Sequence, residues 1–290
     1  MRELTSDAER WGDSGAFEPR TVGARLRAAE QPWRFPPSWG MSDTMLEAGR
    51  IGEVEVRAAA TRGPSHRFYG EPRQDAVGVC PIGDRYLAVA VADGVGSAPK
   101  SGLGASTAVT EALRFLARAL PDAPEAAGTL PGCFASAAEA VLYQGPEPAE
   151  LSTTLTVAVL GLTPTTEGYA FHIAQLGDSP AYILSDGVFR HLFDASETAV
   201  HNAAVHSLPA HTQPDATVSG HLAAGEALVL ATDGLGNPLG FTEVSEYLAD
   251  AWRTPPGPIE FLYQLQFRRR TFDDDRSAVV LWATEAVEAL

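Results

Sequence analysis

The chain has 290 residues, 45% of them hydrophobic and 20% charged, which is typical of a globular protein with one large domain or two ordinary ones. Its formal net charge of −16 argues against a nucleic-acid or anionic-membrane partner, because both need clustered cations. The two cysteines, Cys80 and Cys133, are too few for a disulfide framework or a zinc site and are interpreted as buried free thiols.

Residues 1–50 are rich in Pro, Gly, Glu, Arg and Trp and show no sustained hydrophobic period, which predicts an extension ahead of the folded domain. They contain no apolar signal segment, and the longest apolar runs of the chain are strand-sized, so we expect a cytoplasmic location and no membrane span. We predict that the extension is flexible. Its aromatic residues Trp33, Phe35 and Trp39 leave open the alternative that it docks on a surface.

From residue 51 onward the pattern changes to short β-rich runs separated by helical segments. Tight connections such as "GDSP" (177–180) favour antiparallel pairing, and long helices between groups of strands favour a layered α+β domain. Residues 186–225 contain several histidines and little periodicity, and are predicted to form a long surface excursion. The predicted strands lie near 53–59, 76–80, 85–92, 153–161, 169–176, 180–185, 226–232 and 277–283, and the predicted helices over 101–120, 131–143, 241–252 and 257–270.

One short pattern occurs twice in the chain, as "VADGVG" and "ATDGLG". Each copy places an Asp-Gly pair, Asp93-Gly94 or Asp233-Gly234, at the end of a predicted strand. A lone Asp-Gly pair is typical of a turn, whereas two matched copies indicate a shared role.

The first copy also resembles a phosphate-binding loop of the form G-x-x-x-x-G-K-[ST], because "GVGSAPKS" ends in Lys100 and Ser101. Pro99 stands where that loop has its second glycine, and proline offers no N–H donor and a fixed φ. The second copy has neither the lysine nor the hydroxyl residue. The phosphate-loop interpretation is therefore disfavoured, and the aspartates are the feature that recurs.

Two further acidic sites precede predicted strands, at Asp75 and at Asp273–Asp275. In antiparallel neighbours the end of one strand and the start of the next lie at the same edge of the sheet. We therefore expect Asp93, Asp233 and these acidic residues to converge on one rim. Clustered carboxylates repel one another unless a cation compensates them, and ligation by oxygen alone favours Mg²⁺ or Mn²⁺.

These motifs, in this order, resemble the PP2C (PPM) family of metal-dependent serine/threonine protein phosphatases, in its bacterial branch. The resemblance implies a four-layer αββα sandwich of two antiparallel sheets flanked by helices, formed by residues 51–290. The matching segments are "RQDAVGV" (73–79), "VADGVGSAPKSG" (91–102), "STTLTVAVL" (152–160), "IAQLGDSPAYIL" (173–184), "LVLATDGLGN" (228–237) and "DDDRSAVVLW" (273–282).

The resemblance also implies a centre of two Mn²⁺ or Mg²⁺ ions on the rim, with a third ion in bacterial members. Carried over by motif, Asp93 would bridge both ions and the carbonyl of Gly94 would bind one of them. Asp233 and Asp274 would bind the second ion, with a slip of one residue to Asp273 or Asp275 left open. By the same motifs, Asp75 would hold a metal-bound water, and Asp178 would bind the third ion.

Three positions depart from the family pattern. Gln74 stands where many members have Glu, and Val95 replaces the histidine proposed in eukaryotic members as the acid for the leaving group. His66 is a candidate substitute for that acid, although a lone histidine is more often structural. Gly70 stands at the offset of the phosphate-binding arginine. An arginine is expected there because its guanidinium can bind phosphate through two hydrogen bonds. Arg67 is the preferred replacement, with Arg62 and Arg73 as the alternatives.

The function implied by the resemblance is removal of phosphate from phosphoserine and phosphothreonine in proteins, by attack of a water held between the two ions, without a covalent phosphoenzyme. The implied partners are a phosphorylated protein substrate and a cognate serine/threonine kinase system. Two alternatives stay open. The departures at Gln74, Val95 and Gly70 motivate a weak or inactive regulatory module, and a phosphatase of small metabolites is the other. The oligomeric state is not indicated.

Overall fold

The computed structural model describes residues 20–23, 42–123, 125–193 and 205–284. Within these ranges the strands form two sheets, and every neighbouring pair is antiparallel. The first sheet contains, in spatial order, β1 (Thr44–Ile51), β2 (Val54–Thr61), β11 (Arg276–Ala283), β10 (Ala227–Ala231), β7 (Ala181–Ser185) and β8 (Val188–His191). The second contains β3 (Ala76–Ile82), β4 (Tyr86–Ala92), β5 (Leu155–Gly161), β6 (Tyr169–Leu176) and β9 (Ala216–Leu222).

Helices cover the outer face of each sheet. Helices α2 and α3 pack on the five-stranded sheet, and α5 and α6 pack on the six-stranded sheet. Among the described residues no helix has both the length and the apolar character that crossing a membrane requires. The helices are α1 (Pro64–Tyr69), α2 (Ser101–Ala119), α3 (Leu130–Leu142), α4 (Asp233–Leu239), α5 (Thr242–Ala251) and α6 (Pro258–Leu265), with short 3₁₀ turns at Leu120–Asp122, Ala127–Thr129 and Pro148–Leu151.

The central strands are buried on both faces, which explains their nearly continuous apolar sequences. In β11, Val279 and Leu281 face the opposite sheet, whereas Val280 and Trp282 face the helical layer. This alternation is the period of two expected of a strand. Three apolar layers result, and they confirm the predicted α+β class and the four-layer αββα sandwich.

The six-stranded sheet begins ahead of residue 51, where the sequence placed the start of the folded domain. Strand β1 (Thr44–Ile51) pairs along its length with β2. The turn that connects the two strands contains Gly52, which adopts φ +58°. It is an edge strand with an exposed face, so its sequence "TMLEAGRI" has a weak apolar pattern. Further upstream, Val22 is buried against the helical layer of this sheet. The aromatic residues Trp33, Phe35 and Trp39 lie outside the described residues.

The prediction of one long excursion over 186–225 is wrong for two segments, because β8 and β9 lie within it. Both are edge strands with exposed faces, so their apolar periodicity is weak. The connection at 177–180 was also misassigned. It does not join paired strands but carries the chain from β6 in one sheet to β7 in the other, through Gly177 at φ +91°.

Candidate metal centre

The strand ends that carry the predicted aspartates meet at one rim of the sandwich. Ala76 pairs with Ala92, so Asp75 and Asp93 flank the same end of the β3–β4 pair. The pairing of β10 with β11 likewise brings Thr232–Asp233 next to the acidic run before Arg276. These two groups of strand ends, one from each sheet, are in contact, because the Thr232 hydroxyl donates a hydrogen bond of 2.7 Å to the carboxylate of Asp75.

Asp75 is completely enclosed at the base of this rim, with 1% of its surface exposed. Burial raises the pKa of its carboxyl well above the ordinary value, and the charge of Asp275 raises it further, whereas the hydrogen bond from Thr232 acts in the opposite direction. The guanidinium of Arg73 donates to the backbone carbonyl of Asp75. Asp75 is therefore held rigidly from two sides.

Asp93 is positioned by Thr153 and Thr154, which lie in the motif segment "STTLTVAVL". Its backbone N–H donates to the Thr154 hydroxyl at 2.9 Å, and its carbonyl accepts from the Thr153 hydroxyl at 2.9 Å and the Thr154 N–H at 2.8 Å. Burial raises the pKa of the Asp93 carboxyl well above its ordinary value, and the charges of Asp75 and Asp233 add to the increase. The carboxyl groups of Asp93 and Asp233 are within hydrogen-bond contact of each other.

The same threonine connects Asp93 to the turn that carries Asp178. The Thr154 hydroxyl lies 2.8 Å from the Ser179 hydroxyl, and the Ser179 carbonyl accepts hydrogen bonds from Thr156 at 2.7 Å and Gln175 at 2.8 Å. Desolvation raises the pKa of Asp178, and the nearby charge of Asp233 contributes to the rise. The structure therefore brings Asp178 to the same rim as the other aspartates.

Two glycines allow backbones to approach closely at the rim. A Cβ on Gly94 would lie 2.7 Å from the Cβ of Ser101, at the start of α2. A Cβ on Gly234 would lie 1.9 Å from the carbonyl oxygen of Asp275. Larger residues at either position would push the two Asp-Gly motifs away from their neighbours, which is a physical reason for glycine after each aspartate.

Of the three consecutive aspartates before β11, Asp274 and Asp275 have different surroundings. Asp275 is 2% exposed, and its carboxylate accepts hydrogen bonds from the N–H groups of Gly63 at 2.6 Å and Gln74 at 2.5 Å and contacts His66 Nδ1 at 2.8 Å. The Asp274 side chain is 59% exposed and has one described hydrogen bond, from the N–H of Asp275 at 2.8 Å. Of these two carboxylates, Asp274 is the one with oxygens available for a ligand.

His66 fills the space between Asp274 and Asp275. Burial lowers the pKa of its imidazole, but the hydrogen bond and charge of Asp275, together with Asp274 and Glu71, outweigh this effect and raise the pKa to about 9. One donor atom from each of His66, Asp274 and Asp275 lies within 4.8 Å of the others. Because its Nδ1 is bonded to a buried carboxylate, the geometry favours a structural role for His66.

The donor set at the rim fits a hard divalent cation. Desolvation and repulsion between carboxylates raise the pKa values of four aspartates here, and an ion bound among them would relieve that repulsion. The side-chain donors are oxygens, which is the chemistry that Mg²⁺ and Mn²⁺ prefer. These four residues are Asp75, Asp93, Asp178 and Asp274.

The candidate phosphate-binding arginines lie beside this rim and are engaged with other groups. Arg67 is buried, and its guanidinium donates to the Asp43 carboxylate at 2.6 and 3.2 Å and to the Thr61 hydroxyl at 3.1 Å. Arg62 donates to the carbonyl of His66 at 2.7 Å. Asp43, which the sequence analysis placed in the extension, therefore competes with phosphate for the preferred arginine.

The structure also defines the contacts of Gln74, which departs from the family pattern, of Lys100 and of several histidines. The Gln74 side chain accepts from the Ser101 hydroxyl at 2.9 Å, and Lys100 forms an ion pair with Glu150. Of the histidines in the predicted surface excursion over 186–225, His221 lies in β9. His206 bonds to Asp215 at 2.7 Å and stacks on His211 with ring centroids 4.1 Å apart, and His201 lies outside the described residues.

Comparison with known proteins identifies the family. The sequence profile of the Protein phosphatase 2C family matches residues 62–260. The chain belongs to the protein phosphatase 2C family. This match confirms the family predicted from the six motifs, and it spans the rim aspartates from Asp75 to Asp233. No curated protein matches this member of the family at the level of sequence.

Solved structures of bacterial phosphatases share the fold of this family member. The phosphatase MsPP from Mycobacterium smegmatis, in complex with cacodylate, is 20% identical with a TM-score of 0.54, covering 78% of this chain and 97% of that chain. The serine/threonine phosphatase of S. agalactiae is 16% identical with a TM-score of 0.58, covering 80% and 100%. The catalytic domain of the phosphatase PstP in complex with two manganese ions, and the Mycobacterium tuberculosis phosphatase PstP/Ppp, are each 18% identical with a TM-score of 0.54, covering 80% of this chain and 99% of those chains.

Proposed function

We propose that this protein is a Mn²⁺- or Mg²⁺-dependent phosphatase that removes phosphate from phosphoserine and phosphothreonine in other proteins. The observation that carries the proposal is the convergence of Asp93, Asp233 and Asp274 on one rim, where repulsion between carboxylates contributes to the raised pKa values of Asp93 and Asp274. Membership of the family and the two manganese ions in the PstP structure support it.

The residues that would hold the ions are those that the motifs assigned. Asp93 would bind both ions and the Gly94 carbonyl one of them, with Asp233 and Asp274 on the second ion and Asp178 on a third. When bound, the ions would supply Lewis-acid activation of water and neutralise phosphate charge. Asp274 is preferred to Asp275 because the Asp275 carboxylate already accepts two backbone N–H groups.

The other residues of the rim would orient these ligands and the attacking water. Asp75 is fixed by Thr232 and would accept a hydrogen bond from water in the site, which aligns that water for attack. The threonine pair at 153–154 holds the backbone of Asp93. Positioning of this kind matters because a small displacement of a ligand costs a large part of the rate.

Arg67 is our candidate for binding the phosphate of the substrate. It lies on α1, the helix that also carries His66, whose Nδ1 is 3.9 Å from Asp274. Its fork can bind phosphate through two hydrogen bonds, once the contact with Asp43 is exchanged for the substrate. The partners in this proposal are a phosphorylated protein and a cognate serine/threonine kinase system.

The experiment that tests the proposal is hydrolysis of a phosphothreonine peptide and of p-nitrophenyl phosphate with and without Mn²⁺. Asp93→Asn and Asp233→Asn are expected to abolish hydrolysis and Mn²⁺ binding measured by calorimetry. Asp250→Asn is the matched control, since Asp250 is exposed on α5 and pairs only at the surface with Arg253. Activity that survives EDTA or either rim substitution would refute the proposal.

A regulatory module with little or no activity is the second candidate, supported by the departures at Gln74, Val95 and Gly70. The two candidates differ in one result. Mn²⁺ binding without hydrolysis of any phosphomonoester would favour the regulatory module. Hydrolysis of small phosphorylated metabolites in preference to phosphopeptides would instead change the substrate class and leave the metal site in place.

A further inference from the structure

Four residues of the N-terminal region, Arg20–Gly23, are docked on the folded domain, and we call them the N-terminal strap. The Val22 N–H donates to the Arg268 carbonyl at 2.8 Å, and the Arg268 N–H donates to the Arg20 carbonyl at 2.7 Å. These two bonds form a parallel β-bridge between Thr21 and Arg268. The strap is therefore an extended peptide paired with one short stretch of backbone.

Side chains of the strap add to this pairing. Val22 is 7% exposed and belongs to the apolar cluster between the six-stranded sheet and its helices. The guanidinium of Arg20 lies 4.9 Å from the centre of the Tyr247 ring, on α5. Gly23 adopts φ +74°, and a Cβ there would meet the guanidinium of Arg269. The docked conformation thus depends on a buried valine and on glycine at the next position.

The strap contacts the segment that ends at the metal centre. Residues 266–275, here called the aspartate loop, connect α6 to β11 and carry Asp274 at their end. Apart from the bridge with Thr21, the described β-pairing of this loop is a single bridge between Arg269 and Phe272. The loop has little regular structure of its own, so its conformation depends on contacts with neighbouring segments.

Two arginines connect the aspartate loop to its neighbours: Arg276 contacts the helix that begins with Asp233, and Arg269 contacts Phe241, immediately before α5. Arg276 is buried, and its guanidinium donates to the carbonyls of Gly234, Leu265, Phe267 and Phe272. Arg269 lies with its guanidinium 4.2 Å from the centre of the Phe241 ring, which in turn packs edge-on against Phe272 at 5.4 Å. The strap, the aspartate loop and the start of α4 therefore form one continuous set of contacts.

We propose that the N-terminal strap is a positioning element for the metal centre. By pairing with Arg268 it fixes the aspartate loop and thereby holds Asp274 in place beside Asp93 and Asp233, where a divalent cation would be bound. The inference rests on the proposed function, because it takes Asp274 to be a metal ligand. Groups that orient metal ligands commonly contribute 10- to 100-fold to metal affinity.

The first experiment is calorimetric titration of the full chain with Mn²⁺. Val22→Asp places a charge in the buried site of the strap and is expected to weaken Mn²⁺ binding by about 10-fold or more. Thr21→Asp is the matched control, since it adds the same charge at the adjacent, exposed position and leaves the backbone bridge intact. Its Mn²⁺ affinity is expected to stay within about twofold of wild type, less than one kilocalorie per mole.

Hydrogen exchange provides a readout without metal. In the metal-free Val22→Asp chain, the amides of the aspartate loop are expected to exchange faster than in wild type, beginning with Arg268, whose N–H loses its bond to Arg20. A merely structural contact would lower the thermal midpoint and leave both the Mn²⁺ affinity of the folded protein and the exchange of residues 273–275 unchanged. That result would overturn the inference.

A second variant keeps the test decisive if Val22→Asp fails to fold. Gly23→Val opposes the docked conformation through its positive φ and adds no charge to the core. It is expected to weaken Mn²⁺ binding in the same direction, and wild-type affinity in this folded variant would refute the positioning role. If wild type itself binds no Mn²⁺, the proposed function fails first, and the exchange experiment still reports whether the strap orders the loop.

Discussion

Gly63 lies against the backbone that carries Asp274, and a methyl group at this position has no room. A Cβ on residue 63 would lie 2.2 Å from the carbonyl carbon of Asp274 and 2.5 Å from the carbonyl oxygen of Asp273. Gly63 has φ −72° and ψ 158°, which alanine adopts without strain, so Gly63→Ala acts through this contact alone. Non-bonded carbon atoms pack at about 3.5–4.0 Å, so the Asp273–Asp274 backbone must retreat by roughly 1 Å or more.

The expected loss of activity follows from this displacement. Moving a reacting group by about 1 Å costs roughly 100-fold in rate. That factor corresponds to about 2.7 kcal/mol of transition-state stabilisation. The overpacking itself costs about 1–3 kcal/mol of folding free energy, which a domain with three apolar layers tolerates at 25 °C. Gly63→Ala is therefore expected to be folded and nearly inactive.

The assay is kcat/KM for a phosphothreonine peptide at saturating Mn²⁺, with thermal unfolding as the measure of folding. Gly49→Ala is the control, because a Cβ on Gly49 meets nothing within 4 Å and its strand lies at the edge of the sheet. It is expected to keep the wild-type kcat/KM. A folded Gly63→Ala protein with wild-type kcat/KM would show that the position of the Asp274 backbone does not control the chemistry.

Three further predictions concern metal binding, the ion pairs of Arg67 and Lys100, and the thiol of Cys133. Mn²⁺ at about 100 times its Kd is expected to raise the unfolding free energy by about 2.7 kcal/mol in wild type but not in Asp233→Asn, measured by thermal unfolding. Arg67→Ala is expected to raise KM and to destabilise the fold, because it removes the partly buried ion pair of 2.6 Å with Asp43. Lys100→Ala, which breaks an exposed pair, should change kcat/KM and stability very little. Burial raises the pKa of the Cys133 thiol, so a thiol reagent should modify it only upon unfolding; labelling at the rate of an exposed thiol would contradict its burial.

The rim of aspartates was predictable because its signal is local and repeated. Asp93 and Asp233 each follow an apolar run and precede glycine, and antiparallel pairing then fixes which strand ends meet. The same argument needs no knowledge of the loops between the strands. It therefore identified the convergence of residues that lie 140 positions apart in the chain.

The edges of the fold were less predictable, for a physical reason. Strands β1, β8 and β9 each present an exposed face, so polar residues interrupt the apolar alternation that identifies a strand. The docking of the strap depends on a single buried side chain, Val22, and on one β-bridge. A single apolar residue within a polar extension does not show in the sequence that the segment docks on the folded domain.

Residues that position the ligands were missed for another reason, since their role depends on a partner distant in sequence. Thr153 and Thr154 look like ordinary strand residues until the backbone of Asp93 is placed beside their hydroxyls. Asp43 and Arg67 are likewise 24 positions apart and form an ion pair at 2.6 Å that no periodic pattern indicates. Threonine and arginine are common in strands and short helices, so their type alone carries little information.

The hydrogen bonds also explain how one rim holds so many carboxylates. Asp275 is buried and accepts bonds from two backbone amides and contacts the imidazole of His66, so its charge is compensated within the fold. Asp274 has one such bond, and Asp93 faces the charges of Asp75 and Asp233. Asp275 therefore sets the position of the aspartate loop, whereas the repulsion among Asp75, Asp93 and Asp274 favours binding of a cation. Replacing Asp275 by asparagine should therefore disturb folding and the position of Asp274 together, whereas replacing Asp93 should remove the cation and leave the scaffold intact.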